Sequence, residues 1–213
     1  MAAVVLVVAP HPDDESIGCG GMICLHRQRG DPVHVVFLTS GERGLEGVPA
    51  ETVWSIREAE AREAGRVLGV ASMDFLRLPD LGLEAHVEQA AEQLRGVIET
   101  RRPKLIYLPH PEETHADHAA AFAIVRAAQA QCNVVADVPE LIAYEVWTPM
   151  PRSGWVEDVT PVMRQKMQAI GCYRSQLQQF RYDRAIRGLN QYRGIMQAGS
   201  SYAEAFDYLD ADL

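Results

Sequence analysis

Short apolar runs alternate with longer amphipathic stretches along most of this chain. Ala3 to Ala9 is an unbroken Val/Leu/Ala run, the pattern of a strand covered on both faces, and Pro10 ends it before a polar loop. Gly18 to Gly30 reads as a helix carrying Met22, Leu25 and Arg29, with a start weakened by Gly20 and Gly21. Val33 to Thr39 is a second buried strand, and the polar stretch Ser40 to Gly44 follows where a ligand loop would sit. The spacing of Ile56, Ala59, Ala64, Val67 and Leu68 predicts a long helix over Thr52 to Leu68 with its acids outward.

The same alternation continues. Met73 to Leu78 is a third strand closed by Pro79-Asp80-Leu81-Gly82, and Glu84 to Arg101 is a helix with Val87, Ala91, Leu94 and Ile98 on one face. Lys104 to Leu108 is a fourth strand, the alanine-rich Asp117 to Gln131 a helix, and Leu141 to Trp147 a later strand. Pro161 to Leu177 and Tyr182 to Gln197 are expected to be helices. Tyr202 to Leu213 is an acidic end partly ordered by packing, with Asp207 to Asp212 solvated. Strand-helix alternation of this kind predicts an α/β fold, a three-layer sandwich with a mostly parallel, Rossmann-like sheet. No linker or repeat interrupts residues 1–213, so one domain is expected.

Composition narrows the function. A formal charge of -9 without a basic stripe argues against nucleic-acid binding. The N-terminal apolar run lacks a charged flank and is too short to span a bilayer, so it reads as a strand rather than a leader or anchor, with no membrane partner. Cys19, Cys24, Cys132 and Cys172 show no close-paired metal spacing, and they read as packed thiols in a reduced, cytoplasmic setting.

Chemistry concentrates after two strands. His11-Pro12-Asp13-Asp14-Glu15 follows the first, and Thr114-His115-Ala116-Asp117-His118 follows the fourth. In parallel sheets, ligand sites lie beyond the carboxyl ends of strands. A catalytic zinc takes three ligands from His and carboxylate and keeps a position for water, and His11, Asp14 and His118 could supply them. Asp13 and Asp14, as neighbours, point apart, so one can bind metal while the other acts as general base; the residues alone leave the two interchangeable. His115 is assigned to the substrate oxygen, as stabiliser of the oxyanion and donor to the leaving amine, and Asp117 to holding the His115 tautomer.

Four other histidines read differently. His26, His34 and His86 are expected to be structural or solvated, whereas His110 lies close enough after the fourth strand to be weighed as a pocket residue. Glu15 is expected to bond the loop or helix backbone near a helix N-terminus. Gly18, Gly20 and Gly21 have the wrong spacing for a dinucleotide fingerprint, and two aspartates occupy the place a pyrophosphate needs.

With these motifs in view, the chain resembles the LmbE-like, or PIG-L, deacetylase family. Ala9 to Glu15, Gly18 to Gly21 and His115 to His118 match its signature, with Ala116 in place of a proline. Softer similarity runs through Thr39 to Glu42, Arg57 to Glu60, Leu78 to Asp80 and Lys166 to Gln176, where Tyr173 stands in place of a histidine found in many members. The resemblance implies Zn2+ on His11, Asp14 and His118, Asp13 as the general base, and His115 with Asp117 stabilising the transition state. It also implies Arg57 and Asp80 on the sugar, and a trimer or hexamer to which Tyr202, Phe206 and Leu209 would offer contacts. The implied reaction is removal of an N-acyl group, N-acetyl above all, from an amino sugar or its conjugate.

Three alternatives are weighed: a zinc amidase on a thiol conjugate or glycopeptide-type acyl sugar, a metal hydrolase of another bond, and a non-catalytic sugar-binding protein on the same fold. The loops Gly44 to Ala50 and Pro149 to Val156 carry no residue that selects the aglycone.

Overall fold

The computed structural model describes residues 2–132 and 138–209. Seven strands form one sheet in the order β3-β2-β1-β4-β5-β7-β6. The strands are β1 (Val5–Ala9), β2 (Val33–Thr39), β3 (Ser72–Leu78), β4 (Leu105–Pro109), β5 (Glu140–Tyr144), β6 (Trp155–Asp158) and β7 (Ala203–Tyr208). The first five run parallel, and β7 is antiparallel to both β5 and β6.

Successive side chains of a strand face opposite ways, and β1 uses both faces. Val5, Val7 and Ala9 pack into one core with α1 (Asp14–Gln28), α2 (Ala50–Leu68), α5 (Met163–Ile170) and α7 (Tyr182–Arg193). Leu6 and Val8 enter a second core beneath α3 (Val87–Arg101) and α4 (Ala116–Gln131). The result is the expected three-layer sandwich with a mostly parallel sheet. Because β1 lies between β2 and β4, the strand order reverses there, and the carboxyl ends of β1 and β4 open a crevice at that reversal.

Several expected boundaries are corrected. The first helix starts at Asp14 rather than Gly18, since Asp14 and Glu15 in its first turn suit a helix N-terminus. It breaks at Cys19 (φ -136°, ψ 23°). The expected helix from Glu84 opens with a 3-10 turn, Leu83–His86. The stretch expected as one helix, Pro161 to Leu177, is divided into a 3-10 turn, α5 and the short α6 (Arg174–Leu177), and α7 ends in a π turn at Gly194–Ala198. Strand β6 was not expected at all.

The largest correction is at the end of the chain. Ala203 to Phe206 is buried in the interior strand β7, so Phe206 is core rather than a free interface residue. Of the expected solvated tail, Asp207 and Tyr208 complete that strand, while residues 210–213 lie outside the described residues.

Glycine in α1 serves close packing. A Cβ on Gly18 would strike the Tyr144 ring and stand 2.8 Å from the Glu145 carbonyl oxygen. Tyr144 cannot retreat easily, because its hydroxyl donates to the Val8 carbonyl at 2.9 Å beneath the sheet. Gly18→Ala is expected to cost about 1–3 kcal/mol through overpacking, measured as a lower denaturant midpoint at unchanged m-value.

Candidate metal centre and catalytic pocket

The loop after β1 turns sharply so that its side chains converge. The His11 amide donates to Asp14 Oδ2 at 2.8 Å, and the Asp14 amide donates to the His11 carbonyl at 3.2 Å. Asp13, between them, sits at φ 132°, a strained backbone for a non-glycine residue. The Ser16 and Ile17 amides, at 3.0 and 2.9 Å from its carbonyl oxygen, hold it there.

His11 and Asp14 then meet a residue from the other side of the crevice. His11 Nδ1, Asp14 Oδ2 and His118 Nε2 form a triangle with edges of 3.3, 3.2 and 3.2 Å. Four-coordinate zinc with ligands at about 2.0–2.1 Å sets donor atoms about 3.3 Å apart, so these three atoms fit such an ion. Asp14 Oδ1 is buried without a hydrogen-bond partner among the described residues. Burial raises the Asp14 carboxyl, but the charge of His118 and bonds to both imidazoles overcome it and hold the group far below the usual range. Two other groupings also converge within 4.8 Å, His11–His115–His118 and His11–Asp80–Asp117.

Both remaining ring nitrogens face carboxylates, the usual neighbours of a metal-binding imidazole. Only that of His11 is within hydrogen-bond distance, and His118 Nδ1 is buried without a hydrogen-bond partner among the described residues. His11 Nε2 lies 3.1 Å from Asp80 Oδ1 and 3.3 Å from Asp117 Oδ2. His118 Nδ1 lies 3.7 Å from Glu113 Oε2. Glu113 also accepts the amides of Val146, Trp147 and Thr148. Sequence reading missed Glu113: nothing in its neighbourhood distinguishes it from Glu112, and its partners come from a distant loop.

Asp117 differs from expectation. Its carboxylate accepts from the Leu81 and Leu83 amides at 2.7 and 3.0 Å and faces His11, not His115. Residues two apart at a helix start do not face one another, which is why the expected Asp117–His115 bond does not form. His115 Nδ1 is buried with no hydrogen-bond partner among the described residues. Burial and then the charges of His11 and His118 push the His115 pKa down.

Asp13 lies beside the triangle. Its Oδ2 accepts from the Tyr182 hydroxyl at 3.1 Å, and its Oδ1 stands 3.4 Å from Arg57 Nη2. Burial pushes this carboxyl up to about 6, against the opposing pull of Arg57. Arg57 also donates to the carbonyls of Pro12 and Gly41, at 2.6 and 3.1 Å, so much of its hydrogen bonding is committed to the loops. Asp80 is similarly engaged, accepting the Arg43 amide at 3.0 Å. Its burial is outweighed by bonding to His11, which leaves its carboxyl at about 2.

These side chains line a cavity of about 190 Å³ together with Arg43, Gly44, Leu81, His115 and Trp147. His110 does not line it; its Nε2 bonds the Thr148 carbonyl at 2.7 Å. Glu15 and Tyr173 lie buried beneath it. The Tyr173 hydroxyl donates to Glu15 at 2.5 Å, the Asp13 amide donates to the same carboxyl at 3.2 Å, and burial pushes Glu15 up to about 7. His26, His34 and His86 bond Tyr107 and Asp31, Ser72, and the Gly82 carbonyl respectively, away from the cavity.

With this geometry in place, comparison with known proteins is decisive. The PIG-L sequence profile, described as GlcNAc-PI de-N-acetylase, matches residues 6–129, the segment that carries both His/Asp loops. The chain belongs to the PIG-L family. It is 32% identical over 182 residues to the probable N-acetyl-alpha-D-glucosaminyl L-malate deacetylase 2 of Bacillus cereus, covering 81% of this chain and 83% of that protein. It is 26% identical over 222 residues to the diacetylchitobiose deacetylase of Thermococcus kodakarensis, covering 96% and 82%. The conserved protein TT1542 from Thermus thermophilus superposes with a TM-score of 0.85 at 30% identity, covering 99% of this chain and 96% of that one. The Bacillus and Thermococcus relatives of this PIG-L chain are thus named as deacetylases of acetylated amino sugars.

Proposed function

We propose that this PIG-L chain is a zinc-dependent hydrolase that removes an N-acyl group, N-acetyl above all, from an amino sugar or its conjugate. The observation that carries the proposal is the triangle of His11 Nδ1, Asp14 Oδ2 and His118 Nε2 with Asp13 beside it. These three residues would hold the ion. When bound, a divalent zinc supplies Lewis-acid polarisation of the acyl carbonyl and makes water more acidic.

The chain's own residues do the rest. Asp13, oriented by Tyr182 and Arg57, takes the proton of the attacking water. Hydroxide adds to the acyl carbon, the C–N bond breaks, and the amine leaves with the proton that Asp13 took from the water, giving a free amino sugar and a carboxylate. His115 faces the acyl oxygen and steadies its developing charge. Asp117 and Asp80 fix the His11 ring, so in this mechanism Asp117 positions a metal ligand instead of acting on His115. Arg57 and Asp80, on the cavity wall, are the sugar-facing pair.

All four cysteines are free thiols, in keeping with the reducing, cytoplasmic setting inferred here. Among the described residues no helix is long and apolar enough to cross a membrane. The test combines metal analysis with a free-amine assay on acylated amino sugars. About one zinc per chain and amine release abolished by a chelator are expected. Amine release indifferent to metal removal, or bound zinc with no amine from any acylated sugar, overturns the proposal.

A further inference from the structure

One buried acid beneath the cavity takes no part in the proposed hydrolysis. Glu15 follows Asp13 and Asp14 in the chain and is fully buried. A carboxyl in such a place costs stability unless its oxygens are satisfied, and the two neighbouring aspartates add to that cost. Both of its oxygens are satisfied. Oε1 accepts from the Ser16 and Tyr173 hydroxyls, each at 2.5 Å, and Oε2 accepts from the Asp13 amide at 3.2 Å.

The bond to the Asp13 amide bears on catalysis. Asp13 sits at φ 132°, and a backbone strained in this way persists only when its surroundings over-determine it. The Ser16 and Ile17 amides hold the Asp13 carbonyl while Glu15 holds the Asp13 amide, so the residue is gripped on both sides. Backbone direction decides where its Cβ points. Tyr182 at 3.1 Å and Arg57 at 3.4 Å then meet the carboxyl oxygens, but they do so only if the turn has delivered them. A hydrogen bond to a carboxylate is of the same order as the cost of such a backbone, so its loss lets the turn relax.

Tyr173 fixes the Glu15 carboxyl in turn. Its side chain is fully buried, and its carbonyl accepts the Gln176 and Leu177 amides at 3.2 and 3.0 Å around the start of α6. That turn is fastened to two other parts of the molecule. The Ser175 amide and hydroxyl donate to Glu60 in α2 at 2.8 and 2.7 Å, and Gln176 Nε2 donates to the carbonyl of Gly44, a cavity residue, at 3.3 Å. The Tyr173 hydroxyl therefore reaches Glu15 from a frame built outside the loop that follows β1, and it can hold that loop in place.

We propose that Glu15, clamped by Tyr173, is the positioning residue that holds Asp13 in its strained turn and so aims the general base at the attacking water. The role rests on the function of Asp13 proposed above. The zinc-loaded full chain gives two readouts: hydrogen exchange of the Asp13 amide by NMR, and kcat and KM for amine release from N-acetylglucosamine. Glu15→Ala removes the acceptor of the Asp13 amide. Tyr173→Phe removes one hydroxyl and leaves the ring in the core, and Glu15→Gln restores an acceptor.

Glu15→Ala is expected to speed Asp13 exchange and to lower kcat, each by about ten- to hundred-fold, with KM within about two-fold and zinc near one per chain. Tyr173→Phe should move both readouts the same way by about three- to ten-fold, and Glu15→Gln should stay within about three-fold of the parent. Exchange of the β1 amides should be unchanged in every variant. Parental exchange at Asp13 in Glu15→Ala, faster exchange with unchanged kcat, or Glu15→Gln as impaired as Glu15→Ala overturns the proposal. Loss of zinc from Tyr173→Phe does so too, and assigns the pair to Asp14. Equal acceleration of exchange throughout the chain marks a merely structural role and also overturns it. If Glu15→Ala does not fold, Tyr173→Phe and Glu15→Gln decide by the same criteria. A parent that releases no amine from any acylated sugar would sink the hydrolase reading alone, and Asp13 exchange then decides whether the pair holds the turn.

Discussion

Asp13→Asn is expected to lower turnover of an acylated amino sugar by about 10²–10⁴-fold, the usual contribution of a general base, while zinc content stays near one per chain. Asparagine keeps the shape of the side chain and an oxygen for the Tyr182 hydroxyl, so the strained turn at φ 132° and the neighbouring Asp14 should remain in place. What it lacks is the basic oxygen. His118→Ala should behave in the opposite way, because it removes one corner of the donor triangle and leaves Asp14 Oδ2 with only His11. Metal analysis and the amine assay on the same two preparations separate the roles. Undiminished turnover in Asp13→Asn would remove Asp13 as base, and zinc retained at full stoichiometry in His118→Ala would remove His118 as a ligand.

The second large effect lies away from the cavity. Lys166→Met is expected to cost about 3–5 kcal/mol of stability, the range found when one partner of a buried ion pair is deleted. Lys166 and Glu204 are both fully buried, with Nζ 2.7 Å from Oε1. They also repair the break in α1 at Cys19. Glu204 accepts the Gly21 and Met22 amides at 2.7 and 2.8 Å, and Lys166 donates to the Ile17 carbonyl at 2.8 Å. Removing the lysine leaves a carboxylate uncompensated under the helix whose first turn carries Asp14. Adding Glu204→Gln to Lys166→Met should recover part of the loss, since the charge disappears while one acceptor remains. Chemical denaturation of both variants checks this, and a single variant within 1 kcal/mol of the parent would show that the pair is not what holds the break.

The same pair explains why the end of the chain could not be read correctly in one dimension. Ala203 to Tyr208 mixes small apolar residues with acids, and on composition it reads as an acidic end only partly ordered by packing. Glu204 is tolerable inside only because Lys166, in a different helix, reaches it. Strand β6 is hidden for a related reason, being a four-residue edge strand that exists by pairing with β7. Neither the partner nor the pairing leaves a trace in local periodicity.

The candidate site divides along the same line. Apolar runs ending at Ala9 and Leu108, each followed by a His/Asp cluster, were enough to locate a His/Asp cluster that could hold a metal, since strand ends and residue spacing are local properties of the chain. The orientation of Asp117 toward His11, the approach of Glu113 to His118, the contact of Tyr182 with Asp13 and the edge-on meeting of Trp147 with Tyr182 depend on distances between segments far apart in sequence. Sequence alone determined the α/β alternation, the parallel core strands and the two His/Asp loops that the fold brings together. Only tertiary structure decided which oxygen faces which nitrogen, because hydrogen bonds and ion pairs are set by the folded path that brings their partners within about 3 Å.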